Sequence, residues 1–77
     1  MDNLDKLKRI ITSVIDIDEK EIKTGSNFKE DLGAEPLDLV EIVMEIEEEF
    51  DIQIPDEDVG KITTIDEALK YIEDVAE

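Results

Sequence analysis

Residues 33–50 read "GAEPLDLVEIVMEIEEEF", and this stretch decides the fold of the chain. Proline is favoured at the first position of a helix, because its missing N–H would have no partner there. The pattern therefore predicts a second helix of the chain from Pro36 to Phe50. Asp38 places negative charge near the positive end of the helix dipole, which supports that start. Glu35 precedes it and is a poorer N-cap than Ser, Thr, Asp or Asn would be.

This predicted helix carries apolar residues on two opposite faces. At about 100° per residue, the side called here the core face collects Leu39, Ile42, Val43, Ile46 and Phe50. The opposite side, called here the outer face, holds Leu37, Val40 and Met44. Four glutamates form a rim around the outer face: Glu41, Glu45, Glu47 and Glu48. The outer face could pack under a loop or dock a partner, and the adaptable methionine and the acidic rim favour docking.

Charge is the strongest feature of the composition. The chain has 77 residues, of which 24 are acidic and 8 are basic, and its net charge is −16. No Lys or Arg occurs between Glu30 and Gly60, so the middle of the chain is an acidic block. Such a charge repels phosphates and therefore excludes nucleic acids and anionic membranes as partners. A basic protein surface is the natural complement.

Patterns along the chain exclude two further classes of protein. Hydrophobic residues make up 40% of the chain and recur periodically, which excludes a disordered protein. No basic and apolar leader opens the sequence, and no apolar run approaches membrane-spanning length. We therefore expect a cytoplasmic protein. We also expect a monomer.

The segment before the second helix predicts one helix and a long loop. Apolar residues recur at helical spacing from Asn3 to Ile15, and Asp2 or Asn3 can cap the start of this first helix. Residues 16–35 form a long connection that contains turn-forming glycine, serine and asparagine. Its scattered apolar residues are expected to hold it on the core: Ile17, Ile22, Phe28 and Leu32.

The segment after the second helix predicts two more helical elements. Pro55 and the three acidic residues behind it indicate one short helical turn. Thr64 and Glu67 fit a capping box, which marks the start of the last helix. A single apolar stripe follows along it: Ile65, Ala68, Leu69, Ile72, Val75 and Ala76. The expected fold is all-α, a four-helix bundle of three main helices and one short helix with a long first loop, in one domain over residues 1–77.

Two residue types that catalysis commonly uses, histidine and cysteine, are missing from the chain. The chain has no histidine and no cysteine, so the usual base and the thiolate nucleophile are absent. Ser13 and Ser26 are the only serines, and no histidine can activate either of them. Residues 16–27, "DIDEKEIKTGSN", lack the glycine that a calcium loop has at its sixth position, and they lack its closing glutamate. We expect no enzyme, no catalytic residue and no dedicated metal site, although divalent cations could bind the acidic block weakly.

Residues 28–43, "FKEDLGAEPLDLVEIV", resemble the signature region of acyl carrier proteins. In that family Asp-Leu-Gly and one further residue lead into Asp-Ser-Leu at the start of the second helix. The similarity continues through "EEEFDIQIPDED" (residues 47–58) and "KITTIDEALKYI" (residues 61–72). The resemblance implies a four-helix bundle that serves fatty-acid or related acyl biosynthesis. In the family, a 4'-phosphopantetheine arm on the motif serine carries the acyl chain as a thioester.

The resemblance also gives a role to the outer face, because the second helix is the recognition helix of the family. The docking residues that it implies are Leu37, Val40, Glu41, Met44, Glu47 and Glu48. The implied partners are basic patches on acyl-transfer and fatty-acid synthesis enzymes. In such a protein the chemistry belongs to the arm, and the polypeptide supplies delivery.

The sequence departs from the family at the centre of the motif. Glu35 stands at the position of the family's aspartate, and Pro36 stands at the position of the attachment serine. Proline has no hydroxyl group, so no phosphodiester can form there. We therefore expect no phosphopantetheine cofactor on Pro36, although the docking surface is kept. Ser13 and Ser26 lie in other sequence contexts and are poor substitutes.

Several interpretations follow from that departure. The first is a non-carrying member of the carrier family, natural or engineered, that docks on carrier partners without presenting an acyl group. A second is a working carrier that is modified elsewhere. A third is a structural or regulatory interaction protein, such as an acidic decoy of a basic protein. A fourth, an enzyme, is opposed by the missing histidine and cysteine.

Overall fold

The first helix, α1, spans Asn3–Val14 in the computed structural model, which describes residues 2–75 of the chain. Asp2 is its N-cap, and the Asp2 carboxylate accepts a hydrogen bond of 2.9 Å from the N–H of Asp5. Ile15 is extended and ends the helix, while its N–H still donates to the carbonyl of Ile11. The predicted first helix is confirmed, and of the two candidate caps Asp2 is the one used.

The second helix, α2, spans Pro36–Phe50, with the bounds that the sequence predicts. Asp38 Oδ2 accepts a hydrogen bond of 3.1 Å from the N–H of Glu35, so one backbone donor at the helix start is satisfied from inside the first turn. At the other end Asp51 adopts a left-handed conformation with φ of 54°. A residue in that conformation commonly terminates a helix, because it turns the chain away from the axis.

The short helix α3 spans Asp56–Val59, and the last helix α4 spans Ile65–Val75. The predicted capping box at the start of α4 is confirmed. Thr64 Oγ1 accepts from the N–H of Glu67, and Glu67 Oε1 accepts from the N–H of Thr64. Since both donors lie in the unpaired first turn, the box sets where α4 begins.

The apolar stripe predicted for α4 is only partly correct. Ile65, Ala68 and Ile72 are buried, and Leu69 is half-buried. Val75, however, is 44% exposed, so the buried stripe of the helix ends at Ile72. The prediction for Ala76 lies outside the described residues.

The long first connection is held onto the core, as predicted. Ile22, Phe28 and Leu32 are buried, and Ile17 is half-buried against the core. The first connection also contains one turn of 3-10 helix at Glu19–Glu21, which the sequence pattern did not indicate. Less of the connection is therefore irregular.

Backbone hydrogen bonds tie the first connection to the segment that precedes α4. The N–H of Phe28 donates to the carbonyl of Thr63, and the N–H of Ile65 donates to that of Ser26. Gly33 has φ of 70°, a conformation that only glycine adopts at little cost, so it turns the chain towards α2. The long loop is therefore an ordered part of the fold that delivers the chain to the start of α2.

The core lies between α1, α2, α4 and the first connection. Within residues 2–75 the architecture is all-α, with four α-helices and no strand, as the sequence predicts. None of the described helices has both the length and the apolarity needed to cross a membrane. The buried apolar residues are Leu7, Ile10, Ile11, Ile22, Phe28, Leu32, Ala34, Ile42, Val43, Ile46, Ile52, Ile54, Ile62, Ile65, Ala68 and Ile72.

Repulsion between carboxylates is expected to limit the stability of this fold. Thirteen acidic residues lie between positions 30 and 58, and in the described part of the chain the one ion pair joins Lys61 to Asp58 at 3.2 Å. Added salt screens such repulsion. We predict that 0.2 M KCl or millimolar Mg²⁺ raises the melting temperature by about 4–8 °C for each kcal/mol of repulsion relieved. Thermal melts at several salt concentrations measure this, and an unchanged or lower melting temperature would contradict it.

Candidate functional site: the outer face and the start of α2

The outer face of α2 is open to solvent. Leu37 is 73% exposed, Val40 51% and Met44 58%, which sets them apart from the buried Ile42 and Ile46 on the same helix. The interpretation in which these three residues pack under the long loop is therefore wrong. Three apolar side chains on one stripe leave an apolar surface that nothing in the described chain covers.

The acidic rim is not uniform. Glu41, Glu45 and Glu48 are exposed, and Glu45 Oε2 accepts a hydrogen bond of 3.2 Å from the hydroxyl of Ser13 on α1. Glu47 is half-buried, and its Oε2 accepts a hydrogen bond of 2.7 Å from the backbone N–H of Ile54. Glu47 therefore has a structural task that its place on the helical wheel did not indicate.

Two grooves flank the outer face, and Met44 borders both. A groove of about 440 Å³ between α1 and α2 is lined by Ser13, Val14, Glu41, Met44, Glu45 and Glu48. A groove of about 280 Å³ between α2 and α3 is lined by Val40, Val43, Met44, Glu47, Ile54, Asp56 and Val59. The contributions of α1 and α3 could not be found from the sequence, because residues distant along the chain meet α2 only in the folded molecule.

The start of α2 lies beside this surface. Pro36 is the first residue of the helix and is exposed, between the exposed side chains of Glu35 and Leu37. The carboxylate of Asp38 faces back towards the helix start through its bond to the N–H of Glu35. Position 36 is thus reachable from solvent and adjoins the outer face.

Neither serine hydroxyl stands in for the one that Pro36 lacks. Ser13 lies within α1, where its hydroxyl donates to the carbonyl of Ile10 at 2.7 Å and contacts Glu45. Ser26 is only 8% exposed, and its hydroxyl oxygen accepts from the N–H of Lys23. Both hydroxyls are hydrogen-bonded within the molecule, Ser13 at the exposed end of α1 and Ser26 beneath the surface.

The chain beyond α2 adds one further polar contact near the site. The hydroxyl of Tyr71 on α4 donates a hydrogen bond of 2.8 Å to Asp58 Oδ2 on α3. This bond, and the neighbouring Lys61 ammonium, hold the pKa of Asp58 below its ordinary value. The same bond, burial, and the charges of Asp58, Glu47 and Glu57 raise the pKa of Tyr71. The opposite shifts of the two partners agree with a hydroxyl that donates to an ionised carboxylate.

Comparison with known families identifies the class of protein to which this chain belongs. Residues 5–72 match the family model described as a phosphopantetheine attachment site. The match covers the greater part of the chain, so the protein belongs to the phosphopantetheine-attachment family of carrier domains, consistent with the acyl carrier protein resemblance and with the all-α fold. Members of this family carry 4'-phosphopantetheine and are not catalytic themselves.

The residues at the start of α2 do not fit attachment of that arm. The bond from the protein to the arm is a phosphodiester on a side-chain hydroxyl, and the pyrrolidine ring of Pro36 has no hydroxyl. Leu37, Asp38 and Val40 follow it within the first turns of α2. The carrier fold is therefore present, while Pro36 offers no hydroxyl at the start of α2.

Proposed function

We propose that this chain is an acyl-carrier-like docking module of fatty-acid or related acyl biosynthesis that is not modified at Pro36. The observation that carries the proposal is the solvent-exposed outer face of α2, bordered by carboxylates and continuous with position 36. Membership of the carrier family supports it, since family members deliver their cargo by docking.

The proposed docking residues are those that the sequence singled out, with one reassignment. Leu37, Val40 and Met44 would supply apolar contact, and Glu41 and Glu48 would pair with cations of the partner. Such an arrangement combines an apolar centre with a charged rim, which is how protein interfaces are commonly built. Glu47 would contribute less, because one of its carboxylate oxygens already binds Ile54.

The proposed partners are basic patches on acyl-transfer and fatty-acid synthesis enzymes. The net charge of −16 would speed encounters with such patches and would disfavour pairing between two copies of this chain, so we propose a monomer. We also propose a cytoplasmic location for it. Because no arm would be present, a docked molecule would occupy the partner without delivering an acyl group. A regulatory role, in which the chain competes with cargo-bearing carriers, is the second candidate, and Pro36 is the observation that favours it.

Competition with a genuine acyl carrier protein tests the docking proposal. We predict that the chain inhibits a phosphopantetheinyl transferase that acts on such a carrier, and that the inhibition is competitive. Val40→Lys should weaken the inhibition at least about tenfold, since a central contact in an interface contributes more than 1 kcal/mol. Steady-state kinetics over a range of carrier concentrations supply the measurement.

Thr24→Lys is the matched control for that experiment. It adds the same positive charge at an exposed position of the first connection, outside the outer face. Its inhibition constant should stay within about twofold of that of the unchanged chain, because one added charge weakens only the long-range attraction to the basic partner. Equal losses for the two variants, or no inhibition by the unchanged chain, would overturn the proposed docking face.

A further inference from the structure

A single residue, Glu35, joins the buried end of the first connection to α2. Ala34 is buried, and its N–H donates a hydrogen bond of 2.8 Å to the carbonyl of Phe28, so Ala34 is fixed on the core. Pro36 is already the first residue of α2. The conformation of Glu35 therefore decides how the exposed first turn of the helix leaves the core.

Both backbone groups of Glu35 are hydrogen-bonded to the first turn of α2. The N–H donates to Asp38 Oδ2 at 3.1 Å, and the carbonyl accepts from the N–H of Leu39 at 3.0 Å. Glu35 is exposed, so water competes for its two bonds, and the net contribution of each bond is small. Helix ends held by such bonds open more readily than helix interiors.

Pro36 adds a covalent constraint to the same junction. Its ring keeps its own φ near the helical value of about −65°. The ring also disfavours the helical region for the residue before it, which is thereby held extended. Glu35 is extended, with φ of −82° and ψ of 162°. The proline therefore opposes growth of α2 backwards over Glu35 and fixes the residue at which the helix begins.

Leu37 is the docking residue that this constraint affects most. It follows Pro36 directly and, at 73%, is the most exposed side chain of the outer face. A surface that is already ordered in its bound form loses less conformational freedom on binding, and it therefore binds more tightly. A chain that carries no arm has only its own surface with which to hold a partner, so the order of that surface matters more.

We propose that Pro36 is a positioning residue, which fixes the start of α2 in its docking form and so supports binding without an arm. The same ring that removes the attachment hydroxyl would then improve the docking surface. The effect on docking rests on the proposed function and deepens it. The ordering of the helix start is a property of the free chain and needs no partner.

Amide hydrogen exchange measured by NMR on the free chain tests the ordering. The reporters are the amides of Glu35 and Leu39, which neither belong to residue 36 nor follow it directly. In Pro36→Ala we expect both amides to exchange about two- to fivefold faster, because the loss of the ring gives the opened chain more conformations. In Pro36→Gly they should exchange faster still, since glycine is less restricted than alanine. Neither variant introduces a hydroxyl.

Pro55→Ala is the matched control. Pro55 is the second of the two prolines in the sequence, and it is exposed at the N-cap of α3. Its replacement frees the unfolded chain by a similar amount, but outside α2. The amides of Glu35 and Leu39 should therefore keep their rates. Equal acceleration by Pro36→Ala and Pro55→Ala would mean that the reporters follow global stability, and it would overturn the ordering role. Unchanged rates in both Pro36 variants would overturn it as well.

The competition assay with a phosphopantetheinyl transferase and a genuine acyl carrier protein measures the effect on docking. We expect the inhibition constant to rise about two- to fivefold in Pro36→Ala and further in Pro36→Gly. It should stay unchanged in Pro55→Ala, whereas a general loss of stability would act through both prolines.

The two assays separate failure of this inference from failure of the proposed function. If the unchanged chain and Pro36→Ala inhibit equally well, the positioning role of Pro36 is overturned and the proposed docking function stands. If the unchanged chain does not inhibit at all, the docking function fails and the effect of Pro36 on docking fails with it. The exchange rates of the free chain then decide alone whether Pro36 orders the start of α2.

Discussion

Incubated with coenzyme A and a phosphopantetheinyl transferase, this chain is expected to keep its mass. Position 36 has no hydroxyl, and the hydroxyls of the only two serines are hydrogen-bonded, that of Ser13 to the carbonyl of Ile10 in α1 and that of Ser26 beneath the surface. Intact-mass spectrometry reads the result directly, with a genuine acyl carrier protein in a parallel reaction to show that the enzyme is active. A mass increase of one arm on the unchanged chain would show that the attachment position has been wrongly assigned.

Pro36→Ser is expected to change that result from no modification to modification. Pro36 is exposed and occupies the first position of α2 rather than the N-cap, so replacement of its ring removes no packing and no hydrogen bond. Leu37, Asp38 and Val40 remain in place around the new hydroxyl. The fold should therefore tolerate the change within about 1 kcal/mol.

Adding Glu35→Asp should make the modification faster. Glu35 is one methylene longer than the aspartate of the family motif, and it is the N-cap of α2, a position where aspartate is favoured. The single variant Glu35→Asp is the control, since it restores the acidic residue without any hydroxyl and should stay unmodified. If the double variant also stays unmodified while its circular dichroism is native, the recognition surface has been lost together with the serine.

Ile46→Ala is expected to have the largest effect on stability. Ile46 lies on the core face of α2 and is 1% exposed, among the buried residues of α1 and α4. Truncation of such a side chain costs about 2–5 kcal/mol through lost burial and the cavity left behind. For a domain of this size that lowers the melting temperature by about 4–8 °C per kcal/mol. Urea or thermal unfolding provides the measurement.

Met44→Lys is the matched control on the outer face of the same helix. Methionine and lysine have similar helix propensity, and Met44 is 58% exposed, so the change should lie within about 0.5 kcal/mol. The destabilisation by Phe50→Ala should fall between those of these two variants. The Phe50 ring is half-buried, and its centroid lies 5.6 Å from the ammonium nitrogen of Lys6. Equal destabilisation by Ile46→Ala and Met44→Lys would contradict the division of α2 into two faces.

Local chemistry determined the helices, and for that reason the sequence alone predicted them. The proline at the start of α2 and the Thr64–Glu67 capping box of α4 act within one turn of chain, where few other conformations compete. The two faces of α2 follow from helical geometry, and the exposure of Leu37 agrees with it. The missing hydroxyl at position 36 is likewise a fact of covalent structure that folding cannot alter.

The tertiary structure alone decided which polar groups meet and where the core stops. In the sequence nothing distinguished Glu47 from the other glutamates of the rim, yet in the structure its carboxylate accepts a hydrogen bond from the N–H of Ile54. Tyr71 and Asp58 are 13 residues apart and pair across two helices. Val75 continues the apolar period of α4 but lies exposed. Periodicity specifies which side of a helix a residue lies on, whereas burial and hydrogen bonding depend on which distant segments the loops bring beside it.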